Sequence, residues 1–359
     1  MTEKVRPAYK LPPEAYHDQI WLEKEKLKLF GGSWLYGGLE SELPEPGCYK
    51  TITAGLSELV IVRDKQGELN AFHNMCRHRG AQLVQGTGKC GVLVCPYHKW
   101  TYGLDGKMRG LAKPEQFDEL DRENLGLHKA SVGVWMGLIF VHADENPPMT
   151  LDDWLSGVKA ELGVFDTTKL QLLKTDSITF GANWKLYIEN HIDWLHLWYV
   201  HPQTLDALSH DFSEVKQHGR HWTSYDPVKD EQREVFRSNN PLPDIPHLRE
   251  RDDRYSETGA HFIFPNLPLF TGSSFFAITE LVPVSPEKTQ MNISVLGLPG
   301  GDVDEFLILF NAITKGEDAA IIEIIQKNVR SKRFSVGPIA HTYEKAISAF
   351  HDNYLELMS

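Results

Sequence analysis

Four side chains in two short segments constrain the fold of this 359-residue chain more than any other feature. Cys76 and His78 bracket the first segment, Cys-Arg-His, and Cys95 and His98 bracket the second, Cys-Pro-Tyr-His. Each segment places one thiol and one imidazole within the reach of a single loop. A fold that uses all four together must hold two loop tips face to face, and short flanking strands can present such tips.

This ligand set fits either an iron–sulfur cluster or a structural zinc ion. A [2Fe–2S] cluster with two thiolates on one iron and two imidazoles on the other needs this combination. Zinc also accepts two Cys and two His, but common zinc fingers pair Cys with Cys and His with His. Because each pair here is mixed, the spacing favours the cluster. Cys48 and Cys90 are expected to be small buried hydrophobes, since so few cysteines do not make a disulfide framework.

Charge and hydropathy limit the partners of the chain. The formal net charge of −12 argues against broad binding to nucleic acid or anionic membranes, because both need clustered Lys and Arg. The longest strongly apolar run, residues 132–141, has about half the length of a membrane span. The N-terminal residues lack the apolar stretch of a secretory signal. The chain is therefore expected to be cytoplasmic.

The pattern along the chain predicts an α+β protein with two domains. Residues 45–147 read as a small all-β domain that contains the Cys and His pairs. Its strand and hairpin signals lie at residues 58–63, 68–73, 91–94, 102–108 and 132–142. Asp64–Gly67 and Asp105–Gly106 carry the turn residues of two hairpins.

Residues 148–359 predict a mixed α+β domain, an antiparallel sheet covered by helices. Thr150 begins a helix, and further helices are expected at 183–199, 302–313 and 317–330. Strands are expected at 275–282 and 291–298. The N-terminal residues 1–44, centred on an amphipathic helix at 14–30, are expected to pack on this second domain. The polar stretch 205–257 carries no clear element signal.

A second group of metal-ligand residues lies in the predicted helix at 183–199. Glu189, Asp193 and His196 have the i, i+4, i+7 spacing that places them on one helix face. Pro202 disfavours helical geometry at His201, so a bent or ending helix can turn His201 toward the same metal as His196. Two His and one carboxylate form the ligand set of non-haem ferrous oxygenases. The alternative is a buried amphipathic helix with hydrogen-bonded core histidines.

The segments CRH…CPYHKW and NWK…ENHIDWLHLWYVHP resemble the motifs of Rieske non-haem iron oxygenases, in their catalytic (alpha) subunits. The likeness extends over about residues 30–330 and includes both ring-hydroxylating and choline–carnitine oxygenases. Respiratory Rieske proteins are less similar, because they carry an additional cysteine in each loop. This chain has Arg79-Gly80 and Pro96-Tyr97 at those positions.

The resemblance implies a role for each matching residue. It implies that the [2Fe–2S] cluster is bound by Cys76, His78, Cys95 and His98. It implies that His196 and His201 bind a mononuclear Fe(II), and that Asp193 bridges the two centres by hydrogen bonds to His98 of a neighbouring subunit and to His196. His191 has no counterpart in the motif and is expected to have a core or surface role.

The third iron ligand is expected far downstream. The segment EDAAIIEIIQ resembles a late EDxxxxExxQ motif of the family, in which the Asp binds iron. This resemblance selects Asp318, with Glu317 and Glu323 as the competing carboxylates. The alternative for those two is a solvated helix face.

The activity implied by the resemblance is hydroxylation or demethylation of a small organic substrate by O₂. It also implies a homotrimer and an NAD(P)H-dependent reductase, with or without a ferredoxin. The aromatic residues after position 193 suit a substrate with either an aromatic ring or a quaternary ammonium group. Most of these residues are expected to be core residues. These are Trp194, Trp198, Tyr199, Trp222, Tyr225, Phe262, Phe264, Phe270, Phe275 and Phe276.

Three questions stay open at this level. Monooxygenation and dioxygenation are not distinguished, and neither is the presence of a beta subunit. An electron-transfer Rieske protein without a catalytic iron is the competing function. A zinc-stabilised binding protein is the third.

Overall fold

The computed structural model describes residues 9–117, 120–232, 234 and 258–359. The chain divides into two compact units. The first is Lys24–Trp154, and the second combines Leu155–Ser359 with the N-terminal residues through Glu23. Within the described ranges, no helix combines the length and the apolar character required to cross a membrane. Of the polar stretch at 205–257, residues 233 and 235–257 lie outside the described part.

The first unit is built from two antiparallel sheets. Its strands are β1 (Leu35–Leu39), β2 (Cys48–Ala54), β3 (Ser57–Arg63), β4 (Leu69–His73), β5 (Thr87–Lys89), β6 (Leu93–Val94), β7 (Thr101–Tyr102), β8 (Met108–Gly110), β9 (Lys129–Trp135) and β10 (Leu138–His142). The larger sheet has the order β1-β10-β9-β4-β3-β2-β5, and the smaller has β6-β7-β8. Short 3₁₀ turns cover Glu40–Glu42, Pro114–Gln116 and Glu123–Leu125. The all-β prediction for this part of the chain is confirmed.

Turn residues account for the hairpins of the larger sheet. The predicted β3–β4 hairpin is confirmed: Asp64 Oδ1 accepts hydrogen bonds from two backbone N–H groups of the turn, and Gly67 has a φ of +89°. The single strand predicted at 132–142 is wrong. Met136 and Gly137 both have positive φ, 53° and 72°, and two such residues in succession make the tight turn that separates β9 from β10.

The N-terminal segment does not pack as one piece on the second domain. The amphipathic helix expected at 14–30 is a 3₁₀ turn at Pro13–Tyr16, helix α1 at Gln19–Lys24 and a π-helical turn at Glu25–Phe30. Strand β1 follows and pairs with β10, Leu35 with Val141, inside the first unit. Its apolar residues are buried in that sheet, because an extended Leu-Tyr-Gly-Gly-Leu run adds readily to an open strand edge.

The second unit is a seven-stranded antiparallel sheet with helices. Its strands are β11 (Gln171–Phe180), β12 (Glu214–His218), β13 (His221–Asp226), β14 (Thr258–Ile263), β15 (Leu267–Thr271), β16 (Phe275–Ser285) and β17 (Lys288–Gly297), in the order β11-β17-β16-β15-β14-β13-β12. The predicted strands at 275–282 and 291–298 are confirmed as β16 and β17, and with them the α+β fold class.

Helices complete the two units. They are α2 (Leu151–Trp154), α3 (Ser156–Leu162), α4 (Trp184–His191), α5 (Leu197–Val200), α6 (Asp304–Asn311), α7 (Ala319–Val329) and α8 (Lys345–Met358). Further 3₁₀ turns lie at Gly163–Phe165, Thr167–Lys169, His210–Phe212 and Asp230–Gln232. The predicted helix start at Thr150 is confirmed, since its hydroxyl accepts a hydrogen bond from Asp153 N at 3.1 Å. The two helices expected at 302–330 are joined through a π-helical turn, Ala312–Asp318.

Two glycines with the same φ allow the cost of backbone strain to be distinguished from the cost of a steric contact. Gly47 and Gly67 both have a φ of +89°, but a Cβ at Gly47 falls against the Cys90 carbonyl oxygen, whereas a Cβ at Gly67 has nothing within 4 Å. We expect Gly67→Ala to lower the free energy of unfolding by about 1–2 kcal/mol, the cost of a left-handed backbone for an L-residue. Gly47→Ala should lower it clearly further, as measured by urea denaturation. Equal losses in the two variants would show that the contact with Cys90 is not what requires glycine.

Candidate metal centres

The two Cys-His segments fold into loops of the same geometry. In the first loop, the Cys76 carbonyl accepts a hydrogen bond from Gly80 N at 2.9 Å, and Cys76 N donates to the Ala81 carbonyl at 2.9 Å. Gly80 has a φ of +73°, which closes the turn.

The second loop repeats these contacts at the same positions relative to its cysteine. The Cys95 carbonyl accepts from Lys99 N at 3.1 Å, and Cys95 N donates to the Trp100 carbonyl at 2.8 Å. Lys99 occupies the position of Gly80 and also has a positive φ, 59°. The backbone therefore holds each Cys at the base of its loop, with the His two or three residues further along.

The two cysteines of the predicted cluster site share one hydrophobic core, and its two histidines lie beside each other. Cys76 and Cys95 are 3% and 1% exposed and belong to the hydrophobic core of the unit, whereas His78 and His98 are partly exposed. The centroids of the two imidazole rings are 4.8 Å apart. Thiols in the core and imidazoles at the loop tips form an asymmetric donor set, as expected for a cluster with a buried iron and an outer iron.

The chemistry of His78 fits a metal ligand. Its ring stacks on Trp100 at 4.8 Å between centroids, and its Nδ1 is buried without a hydrogen-bond partner among the described residues. Partial burial lowers the pKa of His78, and the charges of His98 and Arg79 act in the same direction. A neutral imidazole with an unsatisfied buried nitrogen is the form that binds a metal.

Tyr102, which the sequence reasoning missed, supports the first loop. Its hydroxyl lies 3.3 Å from Cys76 Sγ and accepts a hydrogen bond from Arg77 N at 3.0 Å. Tyr102 stands on β7, beyond both Cys-His motifs, so no local signal connects it with Cys76.

The single helix predicted at 183–199 is wrong, because Asp193 interrupts it. Helix α4 begins at its Asn183 cap and ends at His191, and α5 begins at Leu197. Between them, Asp193 Oδ1 accepts a hydrogen bond from Leu195 N at 2.6 Å, and the Asp193 carbonyl contacts His196 Nδ1 at 2.7 Å. In a continuous helix, the Leu195 N–H and the Asp193 carbonyl would each form a backbone hydrogen bond, and these local contacts replace those bonds.

The break redirects His196 and His201 toward a common point with Asp318. One ligand atom from each of these residues lies within 4.8 Å of the other two. Asp318 Oδ1 is 3.1 Å from His201 Nε2 and 3.6 Å from His196 Nε2. Asp318 is the last residue of the π-helical turn between α6 and α7, and such turns are frequent at functional sites.

The contacts of the outer ring nitrogens set the tautomers of both histidines. His201 Nδ1 lies 2.7 Å from a Glu317 carboxylate oxygen, which also accepts a hydrogen bond from the Thr204 hydroxyl at 2.7 Å. His196 Nδ1 faces the Asp193 carbonyl, as described above. Since a carbonyl and a carboxylate only accept, each Nδ1 carries a proton, and Nε2 is the nitrogen of each ring that is left for a metal.

Asp318 is held in its charged form. Burial alone would raise the pKa of Asp318, but hydrogen bonds and charges from His196 and His201 lower that pKa to about 2. Asn190 Nδ2 donates a hydrogen bond to the same Oδ1 at 2.9 Å. One buried carboxylate and two imidazoles, with both Nε2 atoms facing the carboxylate, are the donor set of a mononuclear ferrous site with open positions.

The competing carboxylates have other partners. Glu317 holds His201, Glu323 accepts a hydrogen bond from Gly181 N at 2.6 Å, and Glu189 binds the His351 ring at 2.8 Å. The spacing had predicted that Glu189 shares a helix face with His196, and this prediction is wrong.

The carboxylate of Asp193 lies 3.8 Å from His196 Nδ1, which is too far for the predicted side-chain hydrogen bond. Leu195 N holds one oxygen of this carboxylate instead.

A cavity of about 220 Å³ adjoins the three candidate iron ligands. Its aromatic lining consists of Tyr187, Trp194, Phe270, Phe275, Phe306 and Phe310, with His191 beside them. Of the ten aromatic residues singled out in the sequence, only Trp194, Phe270 and Phe275 line this cavity among the described residues. Most of the others are buried elsewhere in the unit, as expected for core residues. Burial lowers the pKa of His191 to about 4, so this ring is neutral.

Comparison with known families assigns both units. Residues 33–121 match the Rieske [2Fe–2S] domain. Residues 167–359, more than half of the chain, match the ring hydroxylating alpha subunit (catalytic domain). The two matches correspond to the two candidate metal centres.

Individual relatives and a solved structure agree with these families. The chain is 29% identical to the glycine betaine monooxygenase oxygenase subunit of Chromohalobacter salexigens, over 98% of this chain and 86% of that protein. It is 27% identical to the chloroplastic choline monooxygenase of Spinacia oleracea, over 96% and 77%. A quaternary ammonium Rieske monooxygenase, solved in work on carnitine oxidation by gut microbiota and inter-subunit electron transfer, shares the fold. Its TM-score is 0.81 and its identity 24%, over 98% of this chain and 96% of that one.

The contact between Glu317 and His201 predicts how tightly the second centre binds metal. Glu317→Ala removes the acceptor that fixes the His201 tautomer, so we expect Fe(II) affinity to fall about 10- to 100-fold. Anaerobic titration of the metal-free protein with Fe(II) measures this change. Glu323→Ala, a carboxylate of the same helical region that binds only Gly181 N, is the matched control and should keep its affinity. A larger loss in the Glu323 variant would contradict the assignment.

Proposed function

The chain belongs to the ring-hydroxylating alpha subunit family, with a Rieske [2Fe–2S] domain, and from this premise we propose that it hydroxylates or demethylates a small quaternary ammonium compound. As a member of this family it is an oxygenase with two iron centres. When bound, the Rieske cluster supplies electrons one at a time and the mononuclear iron activates O₂. The substrate class, the ligand residues and the assembly are the proposals developed below.

We assign the ligands as follows. Cys76 and Cys95 hold one iron of the cluster, and His78 and His98 hold the other. His196, His201 and Asp318 hold the mononuclear iron. The buried thiols, the unsatisfied Nδ1 of His78 and the convergence of two Nε2 atoms on Asp318 Oδ1 support this assignment.

The surrounding residues of the chain prepare this site for O₂ chemistry. Glu317 and the Asp193 carbonyl hold the protons on the outer ring nitrogens, and Asn190 binds the oxygen of Asp318 that both rings face. The largely apolar cavity limits the water that reaches the reacting atoms. Excluding water strengthens every electrostatic interaction at the site and suppresses side reactions.

The aromatic cavity beside Asp318 is the observation that carries the substrate proposal. Trp194, Phe270, Phe275, Phe306 and Phe310 present rings around a small space. Its 220 Å³ is below the roughly 300–1,000 Å³ of sites for drug-sized ligands, which favours a compact substrate. Aromatic rings bind quaternary ammonium groups through cation–π attraction. The relatives named for glycine betaine and choline act on compounds of this class.

Electron delivery is proposed to cross a subunit boundary in a homotrimer. Asp193 would connect His98 of one subunit with the His196 segment of the next, and an NAD(P)H-dependent reductase would reduce the cluster, directly or through a ferredoxin. The inter-subunit electron transfer described for the solved quaternary ammonium monooxygenase supports this route. Monooxygenation is proposed because the relatives are named monooxygenases. We also propose a cytoplasmic location.

Two variants and a substrate panel test the function. The loaded enzyme should contain about three irons per chain, two in the cluster and one mononuclear. His196→Ala should lose one iron and all turnover but keep the cluster absorption, whereas Cys76→Ser should lose the cluster absorption.

Choline, glycine betaine and carnitine should stimulate O₂ uptake with a reductase. Stimulation by naphthalene alone would favour a ring-hydroxylating activity, and two irons per chain without turnover would favour the electron-transfer alternative.

Asp193→Asn tests the proposed bridge. Asn keeps the size of Asp but replaces one acceptor oxygen with a donor NH₂ and removes the charge. The variant should keep its cluster and most of its mononuclear iron, while electron transfer from the reduced cluster slows by orders of magnitude in stopped-flow single-turnover experiments.

Asp176→Asn, the same change at an exposed position of β11, is the control. Normal turnover in Asp193→Asn would refute the bridge, and selective loss of mononuclear iron would make Asp193 a direct ligand.

A further inference from the structure

One wall of the aromatic cavity carries a buried carboxylate that the iron chemistry does not use. Asp226 is the last residue of β13, pairs with Thr258 on β14 and lines the cavity. It is 7% exposed. Its carboxylate receives a hydrogen bond from the Ser213 hydroxyl, and none of the described residues forms an ion pair with it.

Asp226 is unusual because it is buried with no countercharge among the described residues. Burial raises the pKa of Asp226 to about 6, while the hydrogen bond from Ser213 lowers it. The group is therefore largely ionised at neutral pH, and a buried charge of this kind is unfavourable unless a partner compensates it. A cationic ligand in the cavity would supply that partner.

The other two carboxylates of the cavity already have cationic or imidazole neighbours. Asp318 contacts His196 and His201, and Asp193 lies beside His196. These two belong to the helical part of the lining. Asp226 belongs to the part contributed by the sheet, together with the small residues Thr258, Gly259, Ala260 and Thr271. The cavity thus has one lining set that holds the candidate iron ligands and a separate set that holds a carboxylate without a cationic partner in the described part of the chain.

We propose that Asp226 determines substrate specificity by acting as the countercharge of the substrate's ammonium group. This inference rests on the proposed function and deepens it. A quaternary ammonium group has no N–H to donate, so its recognition depends on charge and on aromatic faces. Phe270 and Phe275 provide such faces on the same sheet wall, and Asp226 provides the charge. The enzyme accordingly selects a cation against a neutral molecule of the same shape.

A pair of isosteric compounds tests this directly. Choline and 3,3-dimethylbutan-1-ol differ only by the exchange of N⁺ for carbon. The holoenzyme should show a higher kcat/KM for choline than for this neutral isostere. Asp226→Asn should raise KM for choline roughly ten- to a hundredfold, the range expected for loss of an interaction with a charged group, and leave that of the isostere nearly unchanged. The ratio of kcat/KM values is a readout that a merely structural role would not move.

Control variants separate charge from shape. Asp226→Glu keeps the charge and should keep the preference for cations, and Asp176→Asn, outside the cavity, should match the wild type. Cluster absorption and iron content verify that each variant is loaded. If Asp226→Asn does not load, Asp226→Ser serves as the second neutral variant. A loaded neutral variant that keeps the wild-type ratio overturns the proposal.

A binding measurement distinguishes this proposal from the proposed function. Isothermal titration calorimetry of the wild-type holoenzyme with tetramethylammonium should show binding, weakened roughly ten- to a hundredfold in Asp226→Asn. If quaternary ammonium compounds are not oxidised, the proposed function fails, and calorimetry still decides the role of Asp226. Absence of tetramethylammonium binding to the wild type, or equal binding to the Asn variant, overturns the countercharge.

Discussion

The contact between the Asp193 carbonyl and the His196 ring is the interaction on which the second centre depends. In a continuous helix this carbonyl would accept a backbone N–H four residues on, and His196 and His201 would point to different sides. By contacting His196 Nδ1 at 2.7 Å instead, the carbonyl ends the helix and fixes the ring tautomer. One local choice of hydrogen-bond partner therefore sets both the direction of the backbone and the nitrogen that faces the metal position.

Such a break is tolerable only if helix α4 is held firmly from elsewhere. Lys185 is fully buried, and its ammonium lies 5.1–5.6 Å from the centroids of the Tyr16, Trp184 and Tyr354 rings. One turn later, Glu189 binds Tyr9 at 2.8 Å and also Tyr16 and His351. Hydrogen bonds to a charged group contribute about 1.5–3 kcal/mol each. These contacts tie α4 to the N-terminal segment and to α8, so the irregular backbone at Asp193 extends from a rigid support.

Sequence reasoning identified the candidate ligand residues more readily than the backbone that positions them. The Cys-His pairs and the segment around His196 are recognisable because metal chemistry restricts residue type and spacing. Asp318 came from a resemblance, and the structure places it beside both histidines. The helix break at Asp193 was missed because periodicity reports which side of a helix is apolar, not whether a side chain competes for backbone groups. Tyr102 and Asp226 were missed, and Glu317 was considered only as a competing ligand, because their contacts with Cys76, the cavity and His201 are distant in sequence.

The two lining sets of the cavity give a physical reason for how one α+β scaffold serves oxygenases with different substrates. The candidate iron ligands depend on the turn after α4 and on the π-helical turn before α7, where the insertion or deletion of one residue would displace a ligand. Asp226 and its neighbours depend on strand ends, where side chains alternate between faces and can be exchanged without moving the backbone. A change of charge in the sheet wall would therefore leave the backbone of the candidate iron ligands in place. The proposed substrate selection by Asp226 requires of these ligands only that they face the same 220 Å³ space, which Asp226 and Asp318 both line.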